Sequence, residues 1–114
     1  GPEIVAKSLI DHRLLASCLP IVVGHPEVLR RALDLIGAQC VIREVDSVTN
    51  LDFSANEIPC WNPSSVDAAS IPASRIDARA GRAAYDYLVA ATRAALRGEI
   101  DAITTAPLNK AALH

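Results

Sequence analysis

The sequence predicts an α/β fold, a mostly parallel sheet with flanking helices. Three observations carry this prediction. Short apolar runs such as Leu19-Pro20-Ile21-Val22-Val23 alternate with segments of helical period. The run at 19–23 is apolar throughout, as strands covered on both faces are. Gly24, Gly37 and Gly98 mark the changes from one kind of segment to the other.

Taken in order, Pro2 and Glu3 lead into Ile4, Val5, Leu9, Ile10 and Leu14, which lie on roughly one face of a helix over 2–16. Proline does no harm in a first turn, where its missing N–H has no partner to lose. Residues 19–23 form a buried strand ended by Gly24. His25-Pro26-Glu27 opens a second helix, with Val28, Leu29, Ala32, Leu33, Leu35 and Ile36 as its apolar stripe and Gly37 as its stop. Cys40 to Val45 reads as the next strand.

From Asp46 to Ser74 the signals weaken, because Asn50, Asn56, Pro59, Pro63 and Pro72 punctuate a loop with one short strand at Ile58–Trp61. Segment 75–98 is the clearest element, a helix rich in alanine and ended by Gly98. Asp101 to Thr105 reads as a buried strand, and Pro107 begins a further helix. No boundary divides the 114 residues, a length typical of one domain, and no internal repeat is present.

Composition narrows the function. Lys and Arg number 11 against 13 Asp and Glu, so there is no basic field of the kind nucleic acids or anionic membranes attract. No apolar run reaches the roughly 20 residues of a membrane span, since Asp11, His12 and Arg13 break the first segment and Arg30 and Arg31 the second. Cys18, Cys40 and Cys60 are odd in number and widely spaced, which points to reduced thiols and a cytoplasmic setting. A start at Gly1 without methionine and a stop at His114, just inside a helix, give the expectation of a piece of a longer chain.

Ligands of open α/β sheets bind where strands end and helices begin, because helix N-termini present unpaired N–H groups to anions. Two places qualify. One is the entry to the first helix, with Gly1 and Glu3; the other is Thr104-Thr105-Ala106-Pro107-Leu108-Asn109-Lys110, where hydroxyls, an amide and a cation lie within one turn of a helix start. A phosphate or carboxylate fits there. The plainer reading is that Thr105 caps the helix while Asn109 and Lys110 face solvent. There is no P-loop and no Gly-x-Gly-x-x-Gly after a strand, and His12, His25 and His114 lack the spacing of a metal cluster.

The segments Gly1 to Lys7, Gly81-Arg82-Ala83-Ala84-Tyr85 through Gly98-Glu99-Ile100-Asp101-Ala102, and Thr104 to Lys110 resemble, in this order and at about this spacing, the 4-hydroxythreonine-4-phosphate dehydrogenase (PdxA) family. In that family Gly-Pro-Glu closes a glycine-containing loop, and a Thr-x-Pro-x-x-Lys segment, here Thr105 to Lys110, soon meets a Gly-His-Thr motif. The resemblance covers nearly the whole chain. It implies a truncated isocitrate/isopropylmalate dehydrogenase-like fold, with residues 1–114 as its N-terminal portion. It implies a cytoplasmic homodimer using NAD and a divalent metal (Zn, Mg or Co) on a small phosphorylated hydroxy acid.

In that family a secondary alcohol beside a carboxylate is oxidised and carbon dioxide is lost. In vitamin B6 biosynthesis the substrate is 4-phosphohydroxy-L-threonine and the product 3-amino-2-oxopropyl phosphate. The resemblance places Lys110 as a catalytic residue and Gly1, Glu3, Thr105 and Asn109 as substrate- or cofactor-binding residues. The family's metal-binding histidines would lie beyond His114, so no metal ligand is assigned here. The run Pro107-Leu108-Asn109-Lys110-Ala111-Ala112-Leu113-His114 also resembles relatives acting on 4-phospho-D-threonate or 4-phospho-D-erythronate. A non-catalytic α/β module that binds an anion at the two helix starts is the alternative from another class.

Overall fold

The computed structural model describes residues 2–54, 56–72 and 77–105. Its elements are α1 (Pro2–Leu9), α2 (His12–Ser17), β1 (Val22–Val23), α3 (Pro26–Leu35), β2 (Val41–Val45), β3 (Glu57–Trp61), a single 3-10 turn at Ala68–Ser70, and α4 (Ala78–Leu96). The three strands form one parallel sheet in the order β1-β3-β2. This is the α/β, parallel-sheet architecture that the sequence predicts.

The strand read as a minor feature of the loop region is the centre of the sheet. Pleat alternation puts Ile58 and Cys60 on one face, where they join Ala6, Leu9, Leu29, Ala32, Leu33 and Ile42 in the core. Helices α1 and α3 supply that cover. Each large aliphatic side chain removed from water there contributes roughly 1.5–3 kcal/mol. Trp61 points to the other face, toward α4, whose buried positions are all small: Gly81, Ala83, Ala91 and Ala94.

Pro59 sits in this central strand without breaking the ladder, and the register explains how. The Asn56 carbonyl accepts from Val41 on β2 and the Trp61 carbonyl accepts from Gly24 beyond β1, so successive residues point to alternate neighbours and Pro59 faces the β1 side. Strand β1 begins at Val22, opposite Cys60, one residue past the point where an N–H from Pro59 would be needed. The predicted strand 19–23 is thereby cut to two residues, and Leu19 is left 67% exposed.

The helix predicted over 2–16 is two helices. Asp11 interrupts it, because its carboxylate accepts from the Arg13 N–H at 2.8 Å and caps α2 while the Asp11 N–H closes the end of α1 on the Ser8 carbonyl. Helix α3 starts at Pro26 and is followed by Gly37 at φ +69°; α4 is followed by Gly98 at φ +76°. Both glycines take the left-handed conformation that stops a helix.

The buried strand expected at 101–105 is not formed. Residues 102–105 have no regular structure and are exposed, Ile103 by 39%. A parallel strand exists only through hydrogen bonds to a neighbour, and among the described residues no strand runs alongside this one. The helix expected from Pro107 lies outside the described residues.

Candidate functional site at the carboxyl edge of the sheet

Because all three strands are parallel, their carboxyl ends open on one edge, and the loops there form the natural place for a ligand. Strand β1 leads into Gly24-His25, β2 into Asp46-Ser47 and β3 into Asn62-Pro63-Ser64. The Gly24 N–H donates to the Trp61 carbonyl at 2.9 Å, which ties the exits of β1 and β3 side by side.

His25 is the N-cap of α3. Its Nδ1 accepts from the Glu27 N–H at 3.2 Å, and its Nε2 lies 3.5 Å from Asp67 Oδ1 in the loop ahead of the 3-10 turn. Ser64 holds the exit of β3 to α4. Its hydroxyl accepts from the Val66 N–H at 3.2 Å and donates to Asp86 Oδ2 at 2.7 Å, while Arg82 Nε meets Asp86 Oδ1 at 3.1 Å. The Asp86 side chain is only 18% exposed, so the pair is partly shielded from solvent. An open groove runs beside this network, lined by Trp61, Pro63, Ser65, Arg82, Tyr85 and Asp86 among others. The Arg82 guanidinium stands 5.9 Å from the Tyr85 ring centre.

The N-terminus of α4 already has its own anion. Asp77 accepts from the Arg79 N–H at 2.8 Å, and the Arg79 guanidinium reaches both Asp77 oxygens at 3.2 and 3.0 Å. A free phosphate would meet that carboxylate first.

Two titratable groups lie deeper. Burial, aided by the Glu44 carboxylate, pushes the Cys60 thiol up to about 11, and the thiol donates to the Gly24 carbonyl at 3.4 Å. Burial also pushes the Tyr87 phenol up to about 12. The Tyr87 hydroxyl is buried without a hydrogen-bond partner among the described residues. Neither group is activated for nucleophilic chemistry, which needs a lowered value.

Of the residues singled out from sequence, Glu3 lies exposed in the first turn of α1 and Thr105 lies exposed in irregular chain. Gly1, Asn109 and Lys110 lie outside the described residues. The pairing of His25 with Asp67 and the separate network of Ser64, Arg82 and Asp86 were not anticipated. Its sequence signals are the Arg82/Asp86 i,i+4 spacing and the Asn62-Pro63-Ser64 turn. Among the described residues no three His, Cys, Asp or Glu come together to hold a metal ion. No helix among them is long and apolar enough to cross a membrane.

A parallel sheet with flanking helices, its strand-end loops gathered on one edge, places the chain among the α/β proteins, whose ligands bind at such an edge. Residues 16–114 match the family model described as pyridoxal phosphate biosynthetic protein PdxA, and the chain belongs to that family. It is similar to a 4-hydroxythreonine-4-phosphate dehydrogenase from Burkholderia phymatum, with a TM-score of 0.91 and 37% identity over 99% of this chain and 34% of that one. It is similar to the corresponding enzyme from Klebsiella pneumoniae, with a TM-score of 0.84 and 37% identity over 99% of this chain and 35% of that one. A D-threonate 4-phosphate dehydrogenase from Cupriavidus necator is 35% identical over 100% of this chain and 34% of its own length. The chain thus spans about a third of the length of these relatives.

Proposed function

We propose that the chain is part of an NAD-dependent dehydrogenase, cytoplasmic and homodimeric, that oxidises a small phosphorylated hydroxy acid beside its carboxylate. The single observation that carries this reading is the family match over residues 16–114. The first substrate to consider is 4-phosphohydroxy-L-threonine, oxidised and decarboxylated to 3-amino-2-oxopropyl phosphate on the way to pyridoxal phosphate. NAD supplies the hydride acceptor. A divalent metal belongs to the reading through the family resemblance alone, and since the described residues offer no ligand cluster, no step is derived through it.

The chain's own part in this chemistry is binding and charge. Lys110 carries positive charge toward the phosphorylated acid, and Thr105 and Asn109 offer hydrogen bonds beside it. Gly1 and Glu3 contribute at the entry to α1. The Ser64, Asp86 and Arg82 network fixes the loop after the central strand against α4, so the groove wall next to the carboxyl edge keeps its shape when a ligand arrives.

A second reading has its own support. The 35% identical relative from Cupriavidus necator is named for D-threonate 4-phosphate, and the two substrates share a phosphate, a hydroxyl and a carboxylate. The ratio of kcat/KM for 4-phosphohydroxy-L-threonine and D-threonate 4-phosphate, measured on the full-length protein, separates the readings. A ratio above one supports the B6 reading. A ratio far below one transfers the protein to sugar-acid breakdown, and turnover of neither removes both.

A further inference from the structure

We infer that the outer edge of β1 is the seat of residues 101–105, which pair with it in the full-length protein as a fourth parallel strand and so bring Thr104 and Thr105 to the carboxyl edge beside Gly24 and His25. That edge is open. The Gly24 N–H points inward to the Trp61 carbonyl, so the N–H and carbonyl of Val23, one residue earlier, point outward. No described strand meets them there, although Val23 is half-buried and backbone polar groups drawn away from water need partners. Leu19, earlier along the same stretch, is left largely exposed.

Two observations choose this edge over the outer edge of β2. The first is the hand of the connections. From β1 the chain passes through α3, on the Cys60 face, and lands at β2. It returns from β2 to β3 by a loop on the other face, where Arg43, level with Pro59, donates to the Asp52 carbonyl. Both passages turn with one hand, as parallel connections in a sheet do. Trp61 meets α4 on that second face, so a passage from β3 through α4 continues in the return direction. The next place in that direction is taken by β1, which leaves the outer edge of β1 for the strand that follows. The second observation is cover. On the Trp61 face Pro59 is fully buried while Val41 on β2 is 60% exposed, so α4 lies over the half of the sheet away from β2.

Residues 101–105 suit the place. Ile103, Thr104 and Thr105 are β-branched, and the segment is exposed and without regular structure. It follows a tight turn, in which Gly98 takes a φ of +76° and the Glu99 N–H donates to the Ala94 carbonyl at 3.0 Å. Five extended residues span roughly 16 Å, as long as the run from Leu19 to Val23 beside which they would lie. Parallel neighbours end on the same edge, so Thr104 and Thr105 stand next to Gly24 and His25 and complete that side of the candidate site. The role of Thr105 toward a ligand rests on the proposed function; the pairing itself follows from the topology alone.

The test uses the unaltered full-length protein, isotopically labelled for nuclear magnetic resonance. The Val23 amide should exchange its hydrogen on the order of a hundredfold or more slowly than unstructured chain, and nuclear Overhauser contacts should join Val23 to residues 102–105. Contacts of residues 102–105 with Val41–Val45 would put the segment at the opposite edge and overturn the inference. A Val23 amide that exchanges as fast as unstructured chain overturns it too, and so does a Val23 without contacts to residues 102–105. None of these readouts involves turnover, so failure of the pairing and failure of the dehydrogenase reading are told apart.

Discussion

At the scale of single residues, the buried thiol and phenol set the behaviour of the chain in alkali. Cys60 is raised from 9.0 to about 11 and Tyr87 from 10.0 to about 12. Below the ordinary values both groups are neutral whether the chain is folded or not. As the pH rises from 9 toward 11, the unfolded chain gives up the Cys60 proton and the folded chain keeps it, so stability present below that window is lost through it. The loss is on the order of 1–3 kcal/mol. Thermal melts should show a falling Tm across this range, and Cys60→Ala, though less stable at neutral pH, should show a flatter slope there. Alkylation at pH 8 should label the exposed Cys18 well before Cys60. At the proposed site, Lys110→Ala should lower kcat by roughly a hundredfold if its charge acts on the transition state, and Lys110→Arg should recover part of that. Wild-type kinetics for both variants would remove Lys110 from the site.

At the scale of elements, what could be read from sequence follows the kind of interaction that makes each one. Helices are local, so α3 and α4 were legible from their stripes and their terminal glycines. Caps were only half legible. Asp11 reads as one more polar residue within a helical stretch, yet its carboxylate turns the chain from one helix into the next. Strands depend on neighbours. The short strand read at Ile58–Trp61 is present, but Pro59 and the flanking prolines hid that it is the centre of the sheet, and only the register, with β1 starting one residue later, shows why proline is tolerated. Residues 101–105 show the converse, a segment read as a strand that has no partner strand among the described residues. The contacts of His25 with Asp67 and of Ser64 with Asp86 were not legible because each joins segments that are distant in sequence. Two substitutions test the account of α4. Asp77→Ala removes the cap on the Arg79 N–H and should cost about 1 kcal/mol in a denaturant titration, with Asp77→Asn close to wild type. Gly98→Ala should cost about 1 kcal/mol from its φ of +76° alone, since a Cβ there meets nothing within 4 Å.

At the scale of the whole molecule, the fold explains where a ligand belongs and the family explains which kind. A chain that spans about a third of its relatives and gathers no metal ligands among its described residues should not reduce NAD by itself with a phosphorylated acid and a divalent metal. The proposed activity is therefore to be sought in the full-length protein. The most direct measurement is therefore NADH formation by that purified protein with phosphorylated four-carbon hydroxy acids and their dephosphorylated counterparts, in the presence of a divalent metal. The account predicts NADH with at least one phosphorylated acid, little or none with its dephosphorylated form, and a large loss in Lys110→Ala. No NADH from any phosphorylated acid, or equal rates with and without the phosphate, would contradict it.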